Sequence, residues 1–295
     1  MPIVGDRPEI NIQTIVFATD FSECSENAGR YAKLLAKDLQ AKLLVVHAFR
    51  LSRAAKEVEL GESKVSRQRA DLESRLALRI EELRDEHLHA SALLLEGNPH
   101  EVIPALAEKH APSLIVLGTH GAGPVEHELI GSVAEKILRS SRWPCWTVGP
   151  LTPPPEEAGL PFRRILYATD FSPAAAHAAP YAVAFAQSVG GEIDTLNVVP
   201  GDASDNSEEM IALKRRYAQA LDQLVPGQTR DFCNPHTFVE VGSAHERILA
   251  HIREHKINLL VLGVHKSSHL GVEMRTSGVF RLIAEAPCPV LTVIG

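Results

Sequence analysis

The chain has 295 residues, 45% of them hydrophobic and 23% charged, with a formal net charge of −7 and an isoelectric point near 6.1. That length exceeds one average core and suits two domains, while the acidic balance argues against a general nucleic-acid binder, which carries a basic excess. The four cysteines, Cys24, Cys145, Cys233 and Cys288, make no CxxC pair, which argues against a disulfide scaffold or zinc ribbon and predicts a reducing, cytoplasmic setting.

The N-terminus lacks a basic stretch followed by a long apolar one, so no signal peptide is predicted. TIVFATD at 14–20 is a short apolar run of the buried-strand kind, followed by a helix with Ala28, Tyr31, Ala32, Leu35 and Leu39 at three- and four-residue spacing. KLLVVHAF at 42–49 is a second strand. Residues from about 57 to 89 read as a long charged helix with Leu72, Leu76, Ile80 and Leu83 along one stripe. SALLLEG at 91–97 and SLIVLG at 113–118 are further strands, separated by the helix HEVIPALAEKH. IGSVAEKILRSS at 130–141 is a fourth helix and CWTV at 145–148 a fifth strand. The apolar runs are strand-sized, far short of the roughly 20 residues that span a bilayer.

The whole pattern then repeats. IVFATDFS at 15–22 returns as ILYATDFS at 165–172, and LIVLGTHG at 114–121 as LLVLGVHK at 259–266. The Pro-rich, acidic GPLTPPPEEAGLP at 149–161 lies between the copies and reads as a stiffened linker. The expected organisation is one domain over 1–150, a linker at 151–161 and a second domain over 162–295, whose long helix lies around 207–224. Strands that are apolar on both faces and alternate with helices imply an α/β fold, here two tandem doubly wound parallel sheets of five strands each. In such sheets ligands sit outside the carboxyl ends of the strands, near the point where strand order reverses. That rule selects the loop after strand one, with Asp20, and the loop after strand four, from Gly118 onward.

In copy one the second loop reads Gly118-Thr119-His120-Gly121-Ala122-Gly123-Pro124, and Gly131-Ser132 opens the last helix. Glycines let the backbone approach an anion, and the first turn of a helix presents unpaired N–H groups and a positive dipole end. Ser132 with Glu135 three residues on reads as a capping box, making Ser132 the expected N-cap. Together they describe a phosphate cradle. The P-loop pattern is absent, and Gly121-Ala-Gly123 lacks the third glycine of the dinucleotide fingerprint and follows strand four, which argues against a dehydrogenase.

Gly118-x2-Gly121-x9-Gly131-Ser132, together with ATDFS at 18–22, resembles the ATP-binding universal stress proteins, in both copies and over nearly the whole chain. The resemblance implies a Rossmann-like, adenine-nucleotide-binding fold. It makes Asp20, with backbone near Ala48, the adenine contact, and Gly118, His120, Gly121, Gly131, Ser132 and Val133 the ribose and phosphate contacts. The implied ligand is ATP or ADP, with or without Mg2+, and the implied role is a cytoplasmic, nucleotide-dependent stress-response module acting on a protein partner. The C-terminal strands would pair the two copies as an internal pseudo-dimer, and a homodimer is a further expectation; no nucleic acid or membrane is expected as a partner. A slow ATPase or autophosphotransferase and a nucleotide-free scaffold are the alternative functions. Where family members carry Arg or Lys between the second and third glycines, this chain has Glu126 and Glu128, which predicts modest or metal-dependent affinity.

Copy two keeps Asp170, Gly263, His265 and Ser277 but has Lys266 and Thr276 where the second and third glycines stood, so it reads as degenerate for ATP. Other readings compete at several positions. Asp20 and Asp170 also suit capping the following helix or setting its turn, a role that can coexist with ligand contact. The glycines suit a plain tight turn, and His120 and His265 suit loop histidines bonded to backbone. His251 and His255, at i, i+4 spacing, have no third ligand nearby in sequence and are expected on a solvated helix face. Cys24 is expected to be an inert thiol, and His269 is not expected to bind metal.

Overall fold

A computed structural model describes residues 11–50, 59–121, 130–156, 162–225, 227, 230, 233–265 and 277–295. The first copy contains β1 (Thr14–Ala18), α1 (Glu23–Asp38), β2 (Lys42–Phe49), α2 (Glu59–Asp85), β3 (Ala90–Glu96), α3 (Pro99–Lys109), β4 (Ser113–Gly118), α4 (Ser132–Ser140) and β5 (Cys145–Val148). β1 pairs in parallel with both β2 and β4, β3 adds to β2, and β5 adds to β4. The order β3-β2-β1-β4-β5 is that of a doubly wound sheet, and its carboxyl-edge crevice opens between β1 and β4.

Both faces of the central strands are covered. Ile15, Val16, Leu114, Ile115 and Val116 are fully buried, which explains why these strands read as continuous apolar runs. α1 buries Ala28, Tyr31, Ala32 and Leu35, and α2 buries the predicted stripe Leu72, Leu76, Ile80 and Leu83. Each such leucine contributes about 1.5–3 kcal/mol by leaving water, enough to hold the otherwise charged α2 to the sheet.

The second copy contains β6 (Arg164–Ala168), α5 (Pro173–Val189), β7 (Glu192–Val199), α6 (Glu208–Asp222), β8 (Asn234–Val241), α7 (Ala244–Glu254), β9 (Leu259–Val264), α8 (Ser277–Glu285) and β10 (Val290–Ile294). Its strands are also all parallel, in the matching order β8-β7-β6-β9-β10. α5 starts with Ser172 as N-cap and Pro173 in its first turn, and stops at Gly190 in the left-handed conformation. Its run of buried alanines lets it lie close on the sheet. The described chain divides into two compact units, one built on β1–β5 and the other on β6–β10. Among the described residues, no helix is long and apolar enough to cross a membrane.

Candidate functional site

At the end of β1 the chain turns sharply. The Asp20 Oδ1 atom accepts hydrogen bonds from the Ser22 backbone N–H at 3.0 Å and the Ser22 hydroxyl at 2.6 Å, and Ser22 is the N-cap of α1. Phe21, between them, has φ +60°, a left-handed conformation that costs a bulky residue energy, and its N–H is tied to Thr19 Oγ1 at 3.0 Å. The Thr19 carbonyl lies 2.8 Å from His47 Nδ1 on β2, and the Phe21 ring carries the Arg75 guanidinium 3.9 Å from its centre. Asp20 is therefore the turn-setting residue of one of its two readings, and it remains exposed, free to meet a ligand as well.

Across the crevice, Gly118 and Gly121 border the β4 loop. A Cβ on Gly121 would lie 2.7 Å from Asp20 Oδ2, so the second carboxylate oxygen is turned to that glycine. A Cβ on Gly118 would instead strike the α1 backbone at Cys24 and Ser25, at 2.9 Å. Gly131 donates its N–H to the Thr119 carbonyl at 2.7 Å, and a Cβ there would lie 2.9 Å from that same oxygen. His120 is buried, with Nδ1 2.8 Å from Thr119 Oγ1, while its carbonyl accepts from the Ser22 hydroxyl at 3.3 Å. The two loops are thus stitched to each other through Ser22.

The capping box does not form. Gly131 is the N-cap of α4, Ser132 is its first helical residue, and the Glu135 carboxylate pairs with Arg139 at 2.8 Å. The cause is the short Gly131–Thr119 bond, which starts the helix one residue early. This leaves Ser132 and Val133 exposed on the first turn, where N–H groups lack intrahelical partners.

Ser132 and Val133 line a cleft of about 340 Å³ with Ala48, Arg50, His100 and Lys136. Neither of the two cations lies between the glycines, where family members carry theirs. Arg50 stands one residue past β2, and Lys136 one turn into α4 beside Ser132, a spacing that places both on one helix face. Glu126 and Glu128 lie outside the described residues. The donors of the helix start and two cations, beside a Gly121 whose missing Cβ leaves room at Asp20, fit a phosphorylated ligand.

The second copy repeats the turn: Ser172 N–H donates to Asp170 Oδ1 at 2.9 Å, and Phe171 again has φ +60°. A Cβ on Gly263 would strike the Ala174 carbonyl of α5. The cleft here, about 290 Å³, is mainly apolar, bordered by Leu196, Val198, Ile248 and Leu262 beside Asp170 and His245. Lys266, His269, Thr276 and the Ser277 side chain lie outside the described residues.

A second expectation is overturned: His251 is not on a solvated face. It is 1% exposed and lies 3.0 Å from the buried Asp194, 57 residues upstream on β7, so the third group was hidden by sequence distance. Cys24 is half-buried with its thiol donating to the Val148 carbonyl at 3.0 Å.

A family model described as the universal stress protein family matches residues 11–149 and 161–293. A universal stress protein of Thermus aquaticus is 34% identical over 139 residues, 45% of this chain and 94% of that protein. One of Methanocaldococcus jannaschii is 30% identical over 138 residues, 45% of this chain and 80% of that protein. The crystal structure of a universal stress protein from Archaeoglobus fulgidus DSM 4304 shares the fold over 99% of this chain and 98% of its own, with a TM-score of 0.70 and 21% identity.

Proposed function

This chain belongs to the universal stress protein family, and from that membership we propose that its first unit binds one ATP and that occupancy biases the binding of a protein partner in the cytoplasm. The observation that carries the reading is the cleft at the start of α4, where the exposed Ser132 and Val133 face Arg50 and Lys136. The phosphates would lie on the N–H groups of the first turn, with the two cations offsetting their charge. Asp20, with the backbone near Ala48, would hold the adenine. Gly121 keeps the space between Asp20 and the β4 loop open. When bound, the nucleotide supplies negative charge and a planar base; the chain supplies donors, cations and a crevice that excludes part of the water.

The second unit does not share this ligand in our reading, because its cleft is lined by aliphatic side chains. The protein purified without added nucleotide, denatured and analysed by mass spectrometry should release ATP or ADP near one per chain. Lys136→Glu, an exposed change, should lower ATP affinity roughly tenfold, about 1.4 kcal/mol, and more so at low salt. Two nucleotides per chain would contradict the single-site assignment. An empty protein that also takes up no ATP with magnesium would remove the nucleotide reading.

A further inference from the structure

Asp194 sits inside β7 with 1% of its surface exposed, an expensive place for a carboxylate unless a cation compensates it. Its Oδ2 lies 3.0 Å from His251 Nε2 and 3.6 Å from His255 Nδ1, while Oδ1, also buried, has no hydrogen-bond partner among the described residues. On its other side, His251 Nδ1 lies 3.2 Å from Glu240 Oε1 on β8. The two imidazoles stack with centroids 4.0 Å apart, and the Phe238 ring packs edge-on against both. His236 is the register neighbour of Asp194 on β8.

A neutral imidazole has one N–H and one lone pair. If His251 donates Nδ1–H to Glu240, its Nε2 lone pair faces the lone pairs of Asp194 Oδ2. If it donates to Asp194, the conflict moves to Glu240. A positive charge inside the cluster resolves either case. A proton on His251 would satisfy that ring alone, leaving His255 Nδ1 aimed at an oxygen too far to bond and Oδ1 unpaired. A metal ion takes up both imidazoles and Asp194 Oδ2 at once.

We propose that Asp194, His251 and His255 form a site for a first-row divalent cation, zinc by ligand chemistry. Their three ligand atoms lie within 4.8 Å of one another. Ligands about 2.0–2.1 Å from a tetrahedral zinc are roughly 3.3 Å apart, and 3.0 and 3.6 Å from Asp194 Oδ2 bracket that value. Because the two imidazoles are stacked 9° from parallel, the partly exposed His255 ring must turn out of the stack to aim its Nδ1 lone pair at the same ion. Glu240 holds the outer nitrogen of His251, the arrangement that fixes the tautomer of a metal-bound histidine. The site lies at the carboxyl end of α7, where His255 is the C-cap and the helix dipole favours a cation. Its position near the start of β7 puts it at the opposite end of the strands from the crevice. His255 is partly exposed, which gives the ion a path in and a water the remaining position. Bound metal would clasp α7 to β7.

The test uses the untagged full chain, stripped with a chelator and titrated with zinc against a chromophoric competitor. One zinc per chain is expected, and one cobalt per chain with the visible absorption bands of a four-coordinate ion. His255→Ala, at a partly exposed helix end, should lower zinc affinity at least tenfold, and zinc should raise its melting temperature far less than it raises that of the wild type. Glu240→Gln should lower it roughly 10- to 100-fold. Equal zinc affinity in wild type and His255→Ala would place any binding among the other histidines and overturn the site. A wild type that binds no zinc would overturn it too.

Discussion

Gly118 and Gly121 stand three residues apart at the mouth of the crevice and lack a side chain for different reasons. At Gly118 a Cβ would meet the backbone of α1, which cannot move without the helix, whereas at Gly121 it would meet only the tip of Asp20. Gly118→Ala should therefore cost about 1–3 kcal/mol of stability, read as a lower melting temperature, with ATP affinity of the folded fraction unchanged. Gly121→Ala should do the reverse, pushing Asp20 from its place and lowering ATP affinity roughly tenfold with a smaller shift in melting. Isothermal titration and thermal melts on both variants separate these outcomes. If both lost stability and affinity alike, the division between a packing glycine and a site glycine would be wrong.

At the scale of elements, the starts of α1 and α5 use one device with one difference. Ser172 caps α5 by accepting from Ala175 N–H at 3.2 Å, whereas Ser22 caps α1 and also donates to Asp20 and reaches the His120 carbonyl. Ser172→Ala should cost about 1 kcal/mol. Ser22→Ala should cost more, because a hydrogen bond to a carboxylate is worth roughly 1.5–3 kcal/mol. Denaturant midpoints of the two variants would decide this, and equal losses would refute the bridging role given to Ser22. The strands and the α2 stripe were legible in sequence because burial on both faces of a parallel sheet leaves unbroken apolar runs, and burial on one helix face leaves a spaced one. The loops around Asp20 and Gly118–Gly121 were legible because their residues are contiguous. The start of α4 was misread by one residue, since a backbone bond from Gly131 to Thr119 outranked the local capping pattern. Arg50 and Asp194 were missed because they join their clusters only through the sheet, which brings distant strands together, whereas Lys136 shares the helix face of Ser132 and was missed because the motif directs attention to the loop between the glycines.

For the whole molecule, the two copies share a fold but bury different ionisable groups, and this makes them differ at high pH. Burial pushes the Cys145 thiol of the first unit up to about 12, and does the same to the Cys288 thiol and the Tyr167 phenol of the second. Burial raises Tyr181 and Cys233 of the second unit as well. A group whose folded pKa is raised stabilises the fold fully below its unfolded value and loses that contribution as pH climbs through the folded value. The ordinary values are 9.0 for these thiols and 10.0 for the phenol. At about 1.4 kcal/mol per pH unit, the loss approaches roughly 4 kcal/mol for each of Cys145 and Cys288 and roughly 3 for Tyr167 between pH 9 and 12. Of the groups named here the second unit holds four and the first unit one, and the second unit is expected to unfold first. Trp143 and Trp146 are the chain's two tryptophans and both belong to the first unit, so their emission maximum reports that unit, while far-ultraviolet circular dichroism reports both. In an alkaline titration the dichroism should begin to fall at a lower pH than the emission maximum shifts. A single coincident transition would mean that the two units lose their folds together despite their different buried groups.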